Sequence, residues 1–144
     1  MSKQFKTIMV PTDFSEDSEL AMQQALQLFG DNADRIILLT VYEGAQSRYT
    51  ELSVGGEVDA MMDQSAHSGL ESFKEKFQDS SQVIETVVKK GNPASKILEV
   101  AKEMDVDLIV MGSQGRNALA RVFFGNTTYQ VSRKAHCSIF VVRH

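Results

Sequence analysis

Cysteine is nearly absent: the chain of 144 residues holds Cys137 alone, so no internal disulfide framework is open to it and a reducing compartment is expected. Only two prolines and nine glycines occur, too few for a fibrous or low-complexity chain. No apolar run approaches the roughly 20 residues of a membrane-spanning helix. Basic residues are the minority, 15 Lys and Arg against 19 Asp and Glu, for a formal charge of −4. That balance argues against nucleic acid as a partner, because phosphate backbones are normally met by a basic face. Met1 to Lys6 pass straight into an apolar run with no hydrophobic leader and no cleavage site, so a cytoplasmic protein is the expectation. What the chain does have is 42% hydrophobic and 24% charged residues, the composition of one ordered globular domain over residues 1–144.

Short apolar runs alternate with helical periods. Thr7-Ile8-Met9-Val10 is a strand ended by Pro11, and Asp13 or Ser15 can cap a helix that runs to Gly30. Ile36 to Val41 is a continuous apolar strand of the kind that parallel sheets bury on both faces. Tyr42 to Gly56 shows no period and reads as a loop. Val58, Met61, Met62, Ala66, Leu70, Phe73 and Phe77 then mark one long amphipathic helix over Glu57–Phe77. Gln82–Val88 is a third strand, and Asn92-Pro93 opens a helix carrying Ile97, Leu98, Ala101 and Met104. Asp107–Met111 is a fourth strand, Phe124 or Asn126 to Lys134 a fourth helix, and Ser138–Val142 a last strand. The order β-α-β-α-β-α-β-α-β predicts an α/β domain with a parallel sheet covered on both faces.

The stretch that carries chemistry is Gly112-Ser113-Gln114-Gly115, followed by nine residues and then Gly125-Asn126-Thr127. A strand that enters a glycine turn and then a helix start offers bare backbone N–H groups to a phosphate. The spacing is neither the P-loop GxxxxGK[ST] nor the dinucleotide fingerprint GxGxxG.

Three segments together resemble the universal stress protein family: Ile8-Met9-Val10-Pro11-Thr12-Asp13-Phe14-Ser15, Gly91-Asn92-Pro93-Ala94, and Gly112 through Arg116 and Gly125 to Val141-Val142-Arg143. The resemblance spans nearly the whole chain. It implies a three-layer fold with a five-stranded parallel sheet of order 3-2-1-4-5, and a homodimer, here expected through the last strand. It also implies an adenine nucleotide at the switch point between strands one and four, where open α/β sheets bind ligands. ATP-binding members carry Gly-x-x-Gly, nine residues, Gly and then Ser or Thr. Gly112, Gly115 and Gly125 fit, whereas Asn126 stands at the hydroxyl position. By resemblance, Asp13 accepts hydrogen bonds from the ribose hydroxyls, Pro11 and Thr12 belong to the same cofactor-binding segment, Val41 lends its backbone to the adenine edge, and Met111 lines the base or ribose. Arg116 and Thr127 complete the phosphate end. The implied cofactor is ATP, with ADP or AMP as the related choices, and Mg²⁺ arriving on the phosphates.

Each of these residues has a plainer role: Asp13 and Asn126 as helix caps, Met111 as packing, Arg116 and Arg121 as solvated loop residues, and Lys89 and Lys90 as a solvated strand end. His67, His136 and His144 are not read as metal ligands, and Cys137 is read as a small buried hydrophobe. No GxSxG elbow occurs, and no catalytic residue is assigned. The expectation is a stress-response sensor or regulator with slow hydrolysis at most and an unidentified protein partner. The alternative is a nucleotide-independent dimeric interaction protein of the same fold.

Overall fold

Residues 5–44, 55–78, 82–113 and 125–143 are described by the structure, a computed structural model. The apolar runs become β1 (Thr7–Pro11), β2 (Arg35–Tyr42), β3 (Val83–Lys90), β4 (Leu108–Gly112) and β5 (Ser138–Val142). They form one sheet of order β3-β2-β1-β4-β5 in which every neighbouring pair is parallel. Between them lie α1 (Glu16–Phe29), α2 (Gly55–Glu75), α3 (Pro93–Glu103) and α4 (Asn126–Lys134). The order 3-2-1-4-5 and the helical covering agree with the expectation.

The twofold alternation of strand side chains divides the core into two layers. Ile8, Val10, Ile36, Leu38, Leu108 and Val110 meet Ala21, Met22 and Ala25 of α1 and Leu70 and Phe73 of α2. Met9, Ile37, Leu39, Ile109 and Met111 face Ala94, Ile97, Val100 and Ala101 of α3 and Val131 of α4. Central strands therefore read as unbroken apolar runs, and each such side chain fully buried contributes about 1.5–3 kcal/mol. β3 and β5, at the two ends of the sheet, are only half-buried along most of their length.

Several boundaries differ from the sequence reading for local reasons. β1 includes Pro11 instead of stopping before it. β4 starts at Leu108 because Asp107 serves as a clasp: its Oδ2 accepts the N–H groups of Lys6 (3.0 Å) and Thr7 (2.9 Å). Met61, expected on the apolar face of α2, is 70% exposed. Its neighbours Asp59 and Asp63 turn toward the sheet to meet Lys90 and Tyr42, and a residue two positions from each points the opposite way.

Candidate functional site

At the carboxyl ends of β1 and β4 the central ladder stops short of the strand ends. β1 stays paired with β2 as far as Pro11 opposite Leu39, and β4 with β5 as far as Gly112 opposite Val142. Between β1 and β4 the ladder ends at Met9 opposite Ile109, which leaves a gap in the hydrogen-bond ladder along the last residues of both strands. Thr12 N–H donates to the Leu39 carbonyl (2.8 Å), which fixes the alternation of β2. Val41, two residues on, therefore turns its own N–H and C=O to the same side, past the last paired residue of β1. The Thr12 carbonyl there accepts the Thr40 hydroxyl (2.8 Å).

The turn from β1 into α1 is held by a hydroxyl network. Thr12, 6% exposed, donates from Oγ1 to Ser18 Oγ (2.8 Å) and accepts the Phe14 N–H (2.9 Å). Ser15 caps α1 by accepting the Ser18 N–H (3.3 Å). Asp13 Oδ1 accepts the Ser15 N–H (3.1 Å), a turn bond outside the helix, so the N-cap of α1 is Ser15 and not Asp13. A ligand role remains compatible with it, since a carboxylate offers about four acceptor sites. Phe14 holds a left-handed backbone (φ 67°), uncommon for a bulky residue. Its ring lies over Gly69 of α2, where a Cβ would sit 2.7 Å from Phe14 Cζ, and packs edge-on against Phe73. Sequence reasoning passed over both residues. The isolated glycine inside the apolar period of α2 was the available signal.

On the other side of the gap, α4 is fastened to the end of β4. Gly125 is the N-cap of α4, with φ 46° and no side-chain cap bond, and Asn126 is the first helical residue and exposed. Asn126 is thus not the N-cap considered for it. The first-turn N–H groups of Asn126, Thr127 and Thr128 have no partner within the helix and carry the positive end of its dipole. Thr128, which the sequence did not single out, is buried and donates its hydroxyl to the Gly112 carbonyl (2.9 Å). Thr128→Val keeps the shape and deletes that donor, so urea unfolding is expected to show a loss of about 1–3 kcal/mol, with Thr128→Ser close to wild type. Equal stability of Val and wild type would remove the hydrogen bond from the account.

Gly112 lies against α1: a Cβ there would come within 2.9 Å of Asp17 Cβ. Asp17 of α1 thus packs against the end of β4. Met111 is 5% exposed and belongs to the second core layer, as does the half-buried Val41 side chain. Gly115, Arg116 and Arg121 fall within residues 114–124, outside the described residues. Lys89 and Lys90 stand on β3, with β2 and β1 between that strand and β4, whose end carries the glycine turn considered for phosphates. Lys90 pairs instead with Asp59, which raises its pKa above the ordinary lysine value. The Tyr42 hydroxyl donates to Asp63 (3.1 Å), and burial followed by that hydrogen bond raises the phenol's pKa. His67 Nε2 lies 3.5 Å from Asp63, and Cys137 packs half-buried on the second layer. Among the described residues no three His, Cys, Asp or Glu side chains are grouped to hold a metal ion, and no helix is long and apolar enough to cross a membrane.

Comparison with known proteins agrees with the fold. The chain is 31% identical to the universal stress protein YxiE of Bacillus subtilis, with 96% of this chain and 99% of that protein covered. It is 27% identical to the universal stress protein MJ0577 of Methanocaldococcus jannaschii, covering 99% and 98%. The solved structure of MJ0577 superposes with a TM-score of 0.86 over the same shares of the two chains. At the level of fold alone, the chain resembles a universal stress protein solved with cAMP (TM-score 0.70, 22% identity, 97% and 98% covered). It also resembles an Arabidopsis thaliana family protein solved with AMP (TM-score 0.64, 19% identity, 96% and 92% covered). Residues 4–143 match the model of the universal stress protein family, and the chain belongs to that family.

Proposed function

We propose that this protein binds an adenine nucleotide, ATP or the related ADP or AMP, in the gap between β1 and β4 and acts through its occupancy. The observation that carries the reading is the joint geometry of that gap. Pairing stops at Met9 and Ile109, and the uncapped start of α4 is tied by Thr128 to the strand end beside it. Backbone N–H groups at such a helix start suit phosphate oxygens. Val41, turned toward the same side, offers a donor and an acceptor to a base edge, and Asp13 an acceptor to ribose hydroxyls. That cAMP and AMP are held by distant proteins of this fold supports the ligand class.

The chain has no P-loop lysine to clamp the phosphates, which favours micromolar affinity, and Mg²⁺ would be held mainly by the phosphates and water. Fast phosphoryl transfer also needs positive groups on the developing charge, so hydrolysis is at most slow. A second copy of the chain is proposed to pair along β5. The other reading, a dimeric interaction protein without nucleotide, is favoured by Asn126, which stands where nucleotide binders carry a hydroxyl.

Calorimetry decides between them. Saturable heat with ATP, ADP or AMP is expected at micromolar to submillimolar ligand. Absence of heat at about 1 mM, equivalent to a binding free energy near −4 kcal/mol, rejects the nucleotide reading. Asn126→Ser adds a hydroxyl donor to an anion and is expected to tighten binding about tenfold or more. Unchanged affinity would mean that position 126 does not touch the phosphates.

A further inference from the structure

We propose that Pro11 is a positioning residue that keeps the β1–β4 gap open, because the side of the strand it disables is the side that faces β4. The inference rests on the nucleotide reading of the gap, but its structural half is testable without a ligand.

In a parallel pair, the N–H and C=O of one residue point to the same neighbour, and successive residues alternate between neighbours. The Arg35 N–H donates to the Lys6 carbonyl (3.2 Å) and the Thr12 N–H to the Leu39 carbonyl (2.8 Å), so the even-numbered residues of β1 face β2. Thr7, Met9 and Pro11 therefore face β4. The last pair on that side is Met9 opposite Ile109. Continuation of the ladder would require an N–H at position 11 to donate to the Val110 carbonyl. Proline has no such hydrogen, and its ring carbon occupies the place where the hydrogen would point.

On the other side nothing is lost. The β1–β2 ladder uses the Val10 carbonyl and the Thr12 N–H, and it continues through Pro11 opposite Leu39. Proline is normally confined to sheet edges, and β1 is the central strand of five. The conflict disappears because the disabled side is the one on which the β1–β4 ladder has already ended. A nucleotide entering between β1 and β4 then has no backbone hydrogen bond to break, and the Val110 carbonyl faces the gap without its ladder donor.

The test uses the full chain with Pro11→Ala, and Pro11→Val as a second variant whose branched side chain suits a strand. Both restore the missing donor. The amide of residue 11 is expected to become protected in hydrogen exchange followed by NMR, with Val110 as its acceptor. ATP affinity by calorimetry is expected to fall about tenfold, the equilibrium weight of one backbone hydrogen bond that must be broken. Pro93→Ala, in the first turn of α3, loses the same kind of ring and is expected to leave ATP affinity unchanged.

A freely exchanging amide at position 11 in both variants overturns the ladder argument. A protected amide with wild-type ATP affinity overturns the positioning role. Wild-type protein that binds no ATP, ADP or AMP while the Pro11→Ala amide is protected overturns the nucleotide reading and with it the role assigned to Pro11 in binding, leaving Pro11 only as the cause of the opening.

Discussion

Gly125→Ala is expected to abolish measurable nucleotide binding and to destabilise the fold by several kcal/mol. The backbone at Gly125 has φ 46°, a left-handed conformation that disfavours any Cβ. A Cβ there would also sit 2.5 Å from the Ser113 carbonyl oxygen and 3.1 Å from Thr128 Oγ1. The first of these is backbone and cannot rotate away. The left-handed penalty of about 1–2 kcal/mol adds to an overpacking penalty of about 1–3 kcal/mol, so about 2–5 kcal/mol is the expected loss in urea unfolding. Relief requires the start of α4 to move away from Ser113. That movement strains the bond from Thr128 to Gly112 and displaces the N–H groups proposed to meet the phosphates. Gly30→Ala is the control: Gly30 is right-handed (φ −61°), and the nearest atom to a Cβ there is 3.7 Å away. It is expected to be neutral or to stabilise by about 0.4–1 kcal/mol through the unfolded chain. Wild-type stability and binding in Gly125→Ala would show that the junction of β4 and α4 is not rigid.

How far the sequence reached can be traced residue by residue. β2 and β4 were legible because a strand buried on both faces needs no alternation, and Ile36-Ile37-Leu38-Leu39 leaves no other reading. The caps at Ser15 and Asn92 were legible because each acts on a backbone N–H three residues away. Gly112 and Gly125 were legible through their spacing, but their reasons were not. Gly112 is required by Asp17 on another element, and Gly125 by the Ser113 carbonyl twelve residues back. Phe14 over Gly69, and Thr128 on Gly112, likewise depend on which segments the fold brings together. Lys89 and Lys90 were considered for the phosphate end because they follow a strand. The strand order, which came from the family resemblance and not from residue patterns, puts two strands between them and β4. Pro11 is the sharpest case. Its missing donor is plain in the sequence, but only the register tells which neighbour loses the bond.

The same alternation sharpens a test of the proposed dimer. β5 ends the sheet and carries no proline or lysine to blunt it, and an unblunted edge is normally paired or covered. The Ser113 N–H donates to the Val142 carbonyl (3.0 Å), so the even-numbered residues of β5 face β4. Ile139 and Val141 therefore direct their N–H and C=O groups outward. Their side chains are a separate matter: Ile139 packs on the second core layer, and Phe140 packs on the first, against Phe29. Val141→Pro consequently removes a donor from the outer edge and leaves the ladder with β4 untouched. Across a two-fold axis the change occurs twice, deleting two hydrogen bonds worth together about 1–3 kcal/mol, with a ring intruding between the strands besides. Sedimentation equilibrium at micromolar concentration is expected to give twice the 16.0 kDa chain mass for wild type and a mass near one chain for Val141→Pro. Circular dichroism should stay native in both. A wild-type mass near 16.0 kDa would end the dimer proposal. A variant that stays dimeric would show that the Val141 donors do not hold the interface together.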